Sequence, residues 1–254
     1  MVLDTLQQRF DMLKPYITAY GPDGGEPKPA VLLFHACNGV RDHIHQYAQK
    51  AADEAGIRAF VIDSFLPRGW DHTAAMSLVC SGLALHGYER SGDVLAAVWG
   101  ISQRADVDEN RISLAGWSHG AWSIMDLMTQ RLSREGSARL MNPSPEPLTG
   151  VKGLFLVYPY INYPARSNTH GWEYKPKTLA VLARNDFLTA HAHAANIFAH
   201  LKSEGVPIET LDLEATHCFD EDGVHFGAFM SYDRSCHRKT EIAFVDFLRA
   251  TLLT

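Results

Sequence analysis

Short runs that are apolar at nearly every position alternate along this chain with stretches where apolar residues recur every three to four positions. Residues 30–34 (AVLLF), 57–62 (IRAFVI), 111–115 (RISLA), 153–158 (GLFLVY), 179–183 (LAVLA) and 208–213 (IETLDL) form six runs of strand length. Between them, helical spacing predicts helices over 44–55, 88–104, 121–131, 189–200 and 241–252. An earlier helix is expected over 3–14, with Leu3, Leu6, Phe10 and Leu13 on one face. Strands without a polar face, separated by helices, imply a mostly parallel sheet covered on both sides. One or two antiparallel strands are expected within 15–29, around the turn-forming segment GPDGGEPKP, giving about six to eight strands in all. Residues 66–88, 132–150 and 161–176 show no clear element and read as loop or lid excursions from a single domain over 1–254.

Composition narrows the function. Of 254 residues, 46% are hydrophobic and 20% charged, which supports a sizeable core. The net charge of −6 and the absence of any Lys/Arg run longer than two argue against a nucleic-acid partner. No apolar stretch reaches the ~18 residues of a membrane span, and the start MVLDTLQQRFDMLKPY does not read as a secretory signal. The four cysteines, Cys37, Cys80, Cys218 and Cys236, form no CxxC pair and no zinc pattern. The expectation is a cytoplasmic protein with reduced thiols, with a Cys80–Cys236 bridge as the alternative for an exported form. Oligomeric state is open, a homodimer included.

Gly116-Trp117-Ser118-His119-Gly120 is a G-x-S-x-G pentapeptide. A chain this long contains one by chance roughly one time in ten, so context decides. Here an apolar strand precedes it and a helical pattern follows, the strand-to-helix turn that lifts a nucleophilic hydroxyl out of a sheet end. The base and its orienting acid are then expected after later strands, in the order Ser, Asp/Glu, His. Asp186 follows the run at 179–183 and His217 the run at 208–213. Of the thirteen histidines, His225 and His237 are the rivals, but neither follows a strand directly. Asp212 is the rival acid, but it lies inside a strand; Asp186 could instead be a turn or N-cap residue. The N–H groups of His119 and of Cys37, or of Ala36 next to it, are the expected oxyanion donors. Cys37 as a nucleophilic or redox thiol is the weaker reading, because no elbow surrounds it. Trp117, Trp122, Tyr158, Tyr160 and Phe219 are candidates for an apolar pocket wall, foremost Trp117 and Phe219 beside the triad residues, although aromatics at such spacing are more often core. Arg68, in the loop after the run at 57–62, is a candidate for gripping a substrate carboxylate, though a solvent-facing or ion-paired role is the commoner one for such an Arg.

Five segments, HACNG at 35–39, IDSFLPRG at 62–69, AGWSHGA at 115–121, ARND at 183–186 and ATHCFD at 215–220, together with the tail SYDRSCHRKTEIAFVDFL, resemble the dienelactone hydrolase family of the α/β-hydrolases. The resemblance runs from about residue 31 to the C-terminus. It implies the α/β-hydrolase fold and puts Ser118, Asp186 and His217 at the family's triad positions. Dienelactone hydrolase proper carries Cys as nucleophile, where this chain has Ser118; the family's Ser-bearing relatives act on assorted esters and lactones. The expected activity is hydrolysis of a small ester or lactone through an acyl-enzyme, with no metal or organic cofactor. A peptidase or thioesterase would use the same triad. A haloalkane dehalogenase would need Asp at 118, and a non-catalytic binding protein on this fold is the rival of another class.

Overall fold

The structure, a computed structural model, describes residues 3–224 and 227–253. Seven strands form one sheet: β1 (Ile17–Tyr20), β2 (Lys28–Phe34), β3 (Arg58–Ile62), β4 (Val107–Trp117), β5 (Val151–Val157), β6 (Lys177–Ala183) and β7 (Ile208–Leu213). Their order is β1-β3-β2-β4-β5-β6-β7. Only β1 runs antiparallel, paired with β3; it is the strand expected within 15–29. The central strands are buried along nearly their whole length, as parallel strands covered on both faces must be.

Helices α2 (Asp42–Ala55) and α7 (Arg234–Leu252) cover one face, where Tyr47, Trp117, Phe155 and Phe244 interlock. The other face carries α1 (Leu6–Leu13), α4 (Gly87–Ser102), α5 (His119–Met128) and α6 (His191–Ser203), with Val94, Ile124, Leu154 and Phe198 in its core. A further helical turn, α3 (His72–Ala75), leads into a π-helical turn at Met76–Cys80. Among the described residues no helix is long and apolar enough to cross a membrane.

Strand order reverses around β2, whose neighbours are β3 and β4. The carboxyl ends of β2 and β4 therefore open onto a crevice, the usual ligand position in such sheets. Phe34 lies opposite Gly116, so the loop at 35–39 and the turn at 117–119 emerge side by side.

The three excursions separate in role. Residues 66–88 and the beginning of 161–176 border the crevice. Residues 132–150 instead pack beneath α4 and α1, with Leu6 N donating to Asn142 Oδ1.

Candidate active site

Ser118 occupies the turn between β4 and α5 at φ 47°, ψ −107°, a backbone conformation that L-residues rarely adopt. Its N–H donates to Val157 O and its carbonyl accepts from Trp122 N, both at 2.9 Å, so the surrounding sheet and helix hold the strained turn. The flanking glycines are required by space. A Cβ at Gly120 would stand 2.1 Å from Phe34 O, and one at Gly116 2.6 Å from Ala121 N.

His217 and Asp186 reach this turn from the loops after β7 and β6. His217 Nε2 lies 2.8 Å from Ser118 Oγ, and His217 Nδ1 lies 2.7 Å from Asp186 Oδ2. The other carboxylate oxygen, Asp186 Oδ1, accepts from Leu188 N at 2.8 Å and Thr189 N at 3.0 Å. Asp186 is thus a turn residue and the imidazole's partner at once. The rival His237 lies on α7, against Tyr47 and Glu241, while His225 lies outside the described residues. Asp212 pairs with His191 at the sheet edge.

The loop bearing His217 is pinned by two acids that the sequence reading passed over. Asp220, fully buried, accepts from Trp117 Nε1 at 2.8 Å, Tyr158 OH at 2.5 Å and Tyr47 OH at 3.2 Å. Burial and this carboxylate hold both phenols protonated, their pKa values pushed well up. Glu221 accepts from Asn38 Nδ2 and Arg41 Nε, tying the loop after β7 to the loop after β2. The one available signal was that Asp220 closes the family-like segment ATHCFD.

The N–H groups of Ala36, Cys37 and His119 donate to no acceptor among the described residues. Cys37 and His119 border a cleft of about 540 Å³ that also exposes Ser118, Trp122, Tyr160, His86 and Val79, and Ala36 lies buried next to it in the chain. Trp122 stacks obliquely on Tyr160, ring centroids 5.0 Å apart. No Lys or Arg lines this cleft among the described residues.

Several expectations need correction. Arg68 does not face the cleft: both terminal nitrogens fork onto the buried Asp93 at 2.9 Å, and Nη1 also meets Ser64 O. A buried carboxylate needs cations more than a solvated cleft does, and Arg9 serves the same acid from α1. Trp117 and Phe219 are core residues with no exposed surface: Trp117 ends β4 with its ring against Tyr47 and Phe244, and Phe219 packs edge-on against Tyr158. Trp122, one helical turn after Ser118, forms the wall instead. The thiols also pair differently. Cys37 is disulfide-bonded to Cys80, their Cα atoms 5.0 Å apart, while Cys218 and Cys236 are free and buried. This removes the Cys80–Cys236 bridge, the expectation of four reduced thiols and the reading of Cys37 as a free nucleophile.

A nearly parallel seven-stranded sheet with a serine on the strand–helix elbow after β4, and an acid and a histidine after β6 and β7, defines an α/β-hydrolase. The chain belongs to the dienelactone hydrolase family, whose model matches residues 17–252. Solved structures agree on the fold. A dienelactone hydrolase-like promiscuous phosphotriesterase from metagenomic libraries is 14% identical, with 92% of each chain covered and a TM-score of 0.71. Est1E from Butyrivibrio proteoclasticus, solved with ferulic acid bound, is 16% identical, with 94% of this chain and 96% of that one covered and a TM-score of 0.63. A thermostable carboxylesterase cloned from a metagenomic library, EstE1, is 17% identical, covering 93% and 84%, with a TM-score of 0.61. Among curated proteins no sequence matches.

Proposed function

We propose that this chain is a serine hydrolase, one catalytic domain that cleaves small, uncharged carboxylic esters or lactones through an acyl-enzyme. Membership of a hydrolase family with esterase-like structures supports ester-type chemistry. The observation that carries the nucleophile is the relay at the elbow, Ser118 Oγ to His217 Nε2 at 2.8 Å and His217 Nδ1 to Asp186 Oδ2 at 2.7 Å.

In this reading Ser118 Oγ attacks the carbonyl carbon and its proton passes to His217 Nε2. Asp186 accepts from Nδ1, which keeps Nε2 free to act as base and stabilises the imidazolium that forms. The carbonyl oxygen, now anionic, is held by the N–H of His119 and by that of Cys37 or Ala36. His217 then protonates the leaving alcohol, and water repeats the sequence to release the acid. Trp122 and Tyr160 suit an apolar or aromatic substituent, and a cleft lined by no Lys or Arg among the described residues disfavours a carboxylate-bearing lactone.

A panel of p-nitrophenyl esters, lactones and thioesters, with Ser118→Ala as blank, tests this. Esters or lactones should turn over, a fluorophosphonate should label Ser118, and His217→Ala should lose at least ~10³-fold in kcat. Turnover that survives Ser118→Ala refutes the nucleophile, and preference for thioesters would move the substrate class. A cytoplasmic location stands against the Cys37–Cys80 bond, since cytosolic thiol pools keep such pairs reduced. Trapping thiols in lysed cells with an alkylating agent decides that point.

A further inference from the structure

Arg90, near the start of α4, is fully buried, yet no carboxylate lies within ion-pair distance of it among the described residues. Asp93 on the same helix is taken by Arg9 and Arg68. The partners of Arg90 are neutral: Nε donates to Ser64 Oγ at 3.0 Å, and Nη1 donates both to His35 O at 2.8 Å and to His119 Nδ1 at 2.9 Å. Its guanidinium lies over the Phe65 ring, 5.1 Å from the centroid. Burial brings its pKa down to about 9, which leaves it a cation at neutral pH. An unpaired buried cation is costly to a fold and calls for a use.

The use follows from what its acceptors belong to. His35 O is the carbonyl of the peptide whose N–H is that of Ala36. His35 Nδ1 in turn meets Ala36 O at 2.7 Å, the carbonyl of the peptide whose N–H is that of Cys37. His35 Nε2 accepts from Ser64 N at 3.1 Å, which assigns the proton to Nδ1. On the other side, His119 Nε2 donates to Leu85 O at 2.8 Å, so its Nδ1 is the acceptor for Arg90. Both imidazoles are held neutral by burial and then by the Arg90 charge, their pKa values well below the usual range. The acid nearest His35, Asp63, lies 3.7 Å from Nε2 and is itself engaged by Phe65 N and Leu66 N.

We propose that Arg90 is the positioning residue of the oxyanion hole: it ties the loop carrying the Ala36 and Cys37 N–H groups to the helix start carrying the His119 N–H. The proposal rests on the serine-hydrolase reading. A fixed cation pulling on the carbonyl of one donor peptide, and through His35 on the next, also polarises those N–H groups toward the developing oxygen anion. Arg90 touches no substrate; it sets where the donors stand.

The test compares turnover with the binding of a trifluoromethyl ketone. Ser118 Oγ adds to the carbonyl carbon of that ketone, the C=O pair moves onto oxygen as an anion, and the serine proton goes to His217. Arg90→Met, melting as one transition above the assay temperature, should lose roughly 30- to 300-fold in kcat with KM within about twofold. Ketone affinity should fall by a similar factor, affinity for the matching methyl ketone should hold, and Arg90→Lys should recover part of the loss. Full kcat in Arg90→Met, with Ser118→Ala inactive, overturns this proposal alone. Turnover that survives Ser118→Ala overturns the nucleophile and this proposal with it. Should Arg90→Met fail to fold, ¹⁵N imidazole spectra of the unaltered protein decide. Neutral His119 protonated at Nε2 and neutral His35 protonated at Nδ1 at pH 6 support the cluster, whereas an imidazolium or the opposite tautomer at His119 overturns it.

Discussion

Reduction of the Cys37–Cys80 bond should lower thermal stability and slow turnover only moderately. The bond closes a loop spanning 43 positions that contains β3, a strand held between β1 and β2. Freeing a loop of that length in the unfolded chain corresponds to about 4 kcal/mol in the chain-entropy account. For an unfolding entropy near 2.1 cal/mol/K per residue, a chain this long should melt about 7 °C lower. Cys80 is exposed, so a phosphine reductant reaches the bond without unfolding the protein. The backbone around Cys37 keeps its other anchors, His35 on Ala36 O and Asn38 on Glu221, so kcat should fall by less than about tenfold, well short of losing an oxyanion donor. The assay is a thermal melt and an ester progress curve with and without reductant, with Cys80→Ser as the genetic equivalent. Thiol titration in denaturant should find two thiols per chain before reduction and four after. Four thiols in untreated protein, or a melting temperature unmoved by reductant, would refute the reasoning.

Other consequences are as direct. Gly120→Ala forces a Cβ against Phe34 O and should destabilise the protein by about 3 kcal/mol while abolishing ester turnover; wild-type stability by urea titration would contradict the packing. Arg68→Ala should cost on the order of 3 kcal/mol by depriving buried Asp93 of its forked partner, and should leave the ratio of anionic to neutral ester turnover unchanged. Stability should also fall with acid. His35, His43 and His119 have pKa values depressed first of all by burial, so between pH 6 and 5 each gains a proton mainly on unfolding. Asp126, raised to about 7 by burial, acts oppositely, releasing its proton on unfolding in that window. The histidines outnumber the one carboxyl, so stability should fall from pH 6 to pH 5, and urea midpoints that hold or rise over that range would contradict it.

Much of the fold, and the three side chains that meet at the elbow, could be read from the chain because both depend on local order. A strand buried on both faces has few polar positions, which is why the central strands stand out in the sequence; the edge strand β7, with Glu209, Thr210 and Asp212 exposed, is legible only from Ile208, Leu211 and Leu213. β1 escaped a firm boundary because a four-residue edge strand with exposed Thr18 and Ala19 carries no such pattern. The misjudged residues depend on side-chain direction and on partners distant in sequence. Arg68 could point outward to a ligand or inward to Asp93, and only the position of α4 decides. Cys37 meets Cys80 because the π-helical turn folds back over the β2 loop, which no spacing rule encodes. Arg90 was hidden inside an ordinary amphipathic helix, where a cation reads as solvent-facing until the helix is seen to be covered.

The walls of the cleft and its chemistry come from different stretches of chain. The proposed catalytic groups stand on strand ends locked by sheet register and by the Asp220 and Glu221 contacts, whereas apart from Trp122 and Leu188 the surfaces a substrate would meet belong mainly to 79–86 and 160–164. Both segments are tied to the body, by the Cys37–Cys80 bond, by His119 Nε2 donating to Leu85 O, and by Tyr160 N and Ile161 N donating to Ser118 O and Thr189 Oγ1, yet most of the side chains they turn toward the cleft lie outside the relay. Such a division lets descendants of one ancestor exchange or resize the walls while the relay stays untouched, and it gives the protein engineer the same freedom. A library confined to Val79, Ser81, His86, Tyr160 and Tyr163 would sample new acyl and alcohol groups at little risk to the elbow. By contrast, changes at Gly116, Gly120 or Asp220 would spend most of their variants on chains that do not fold.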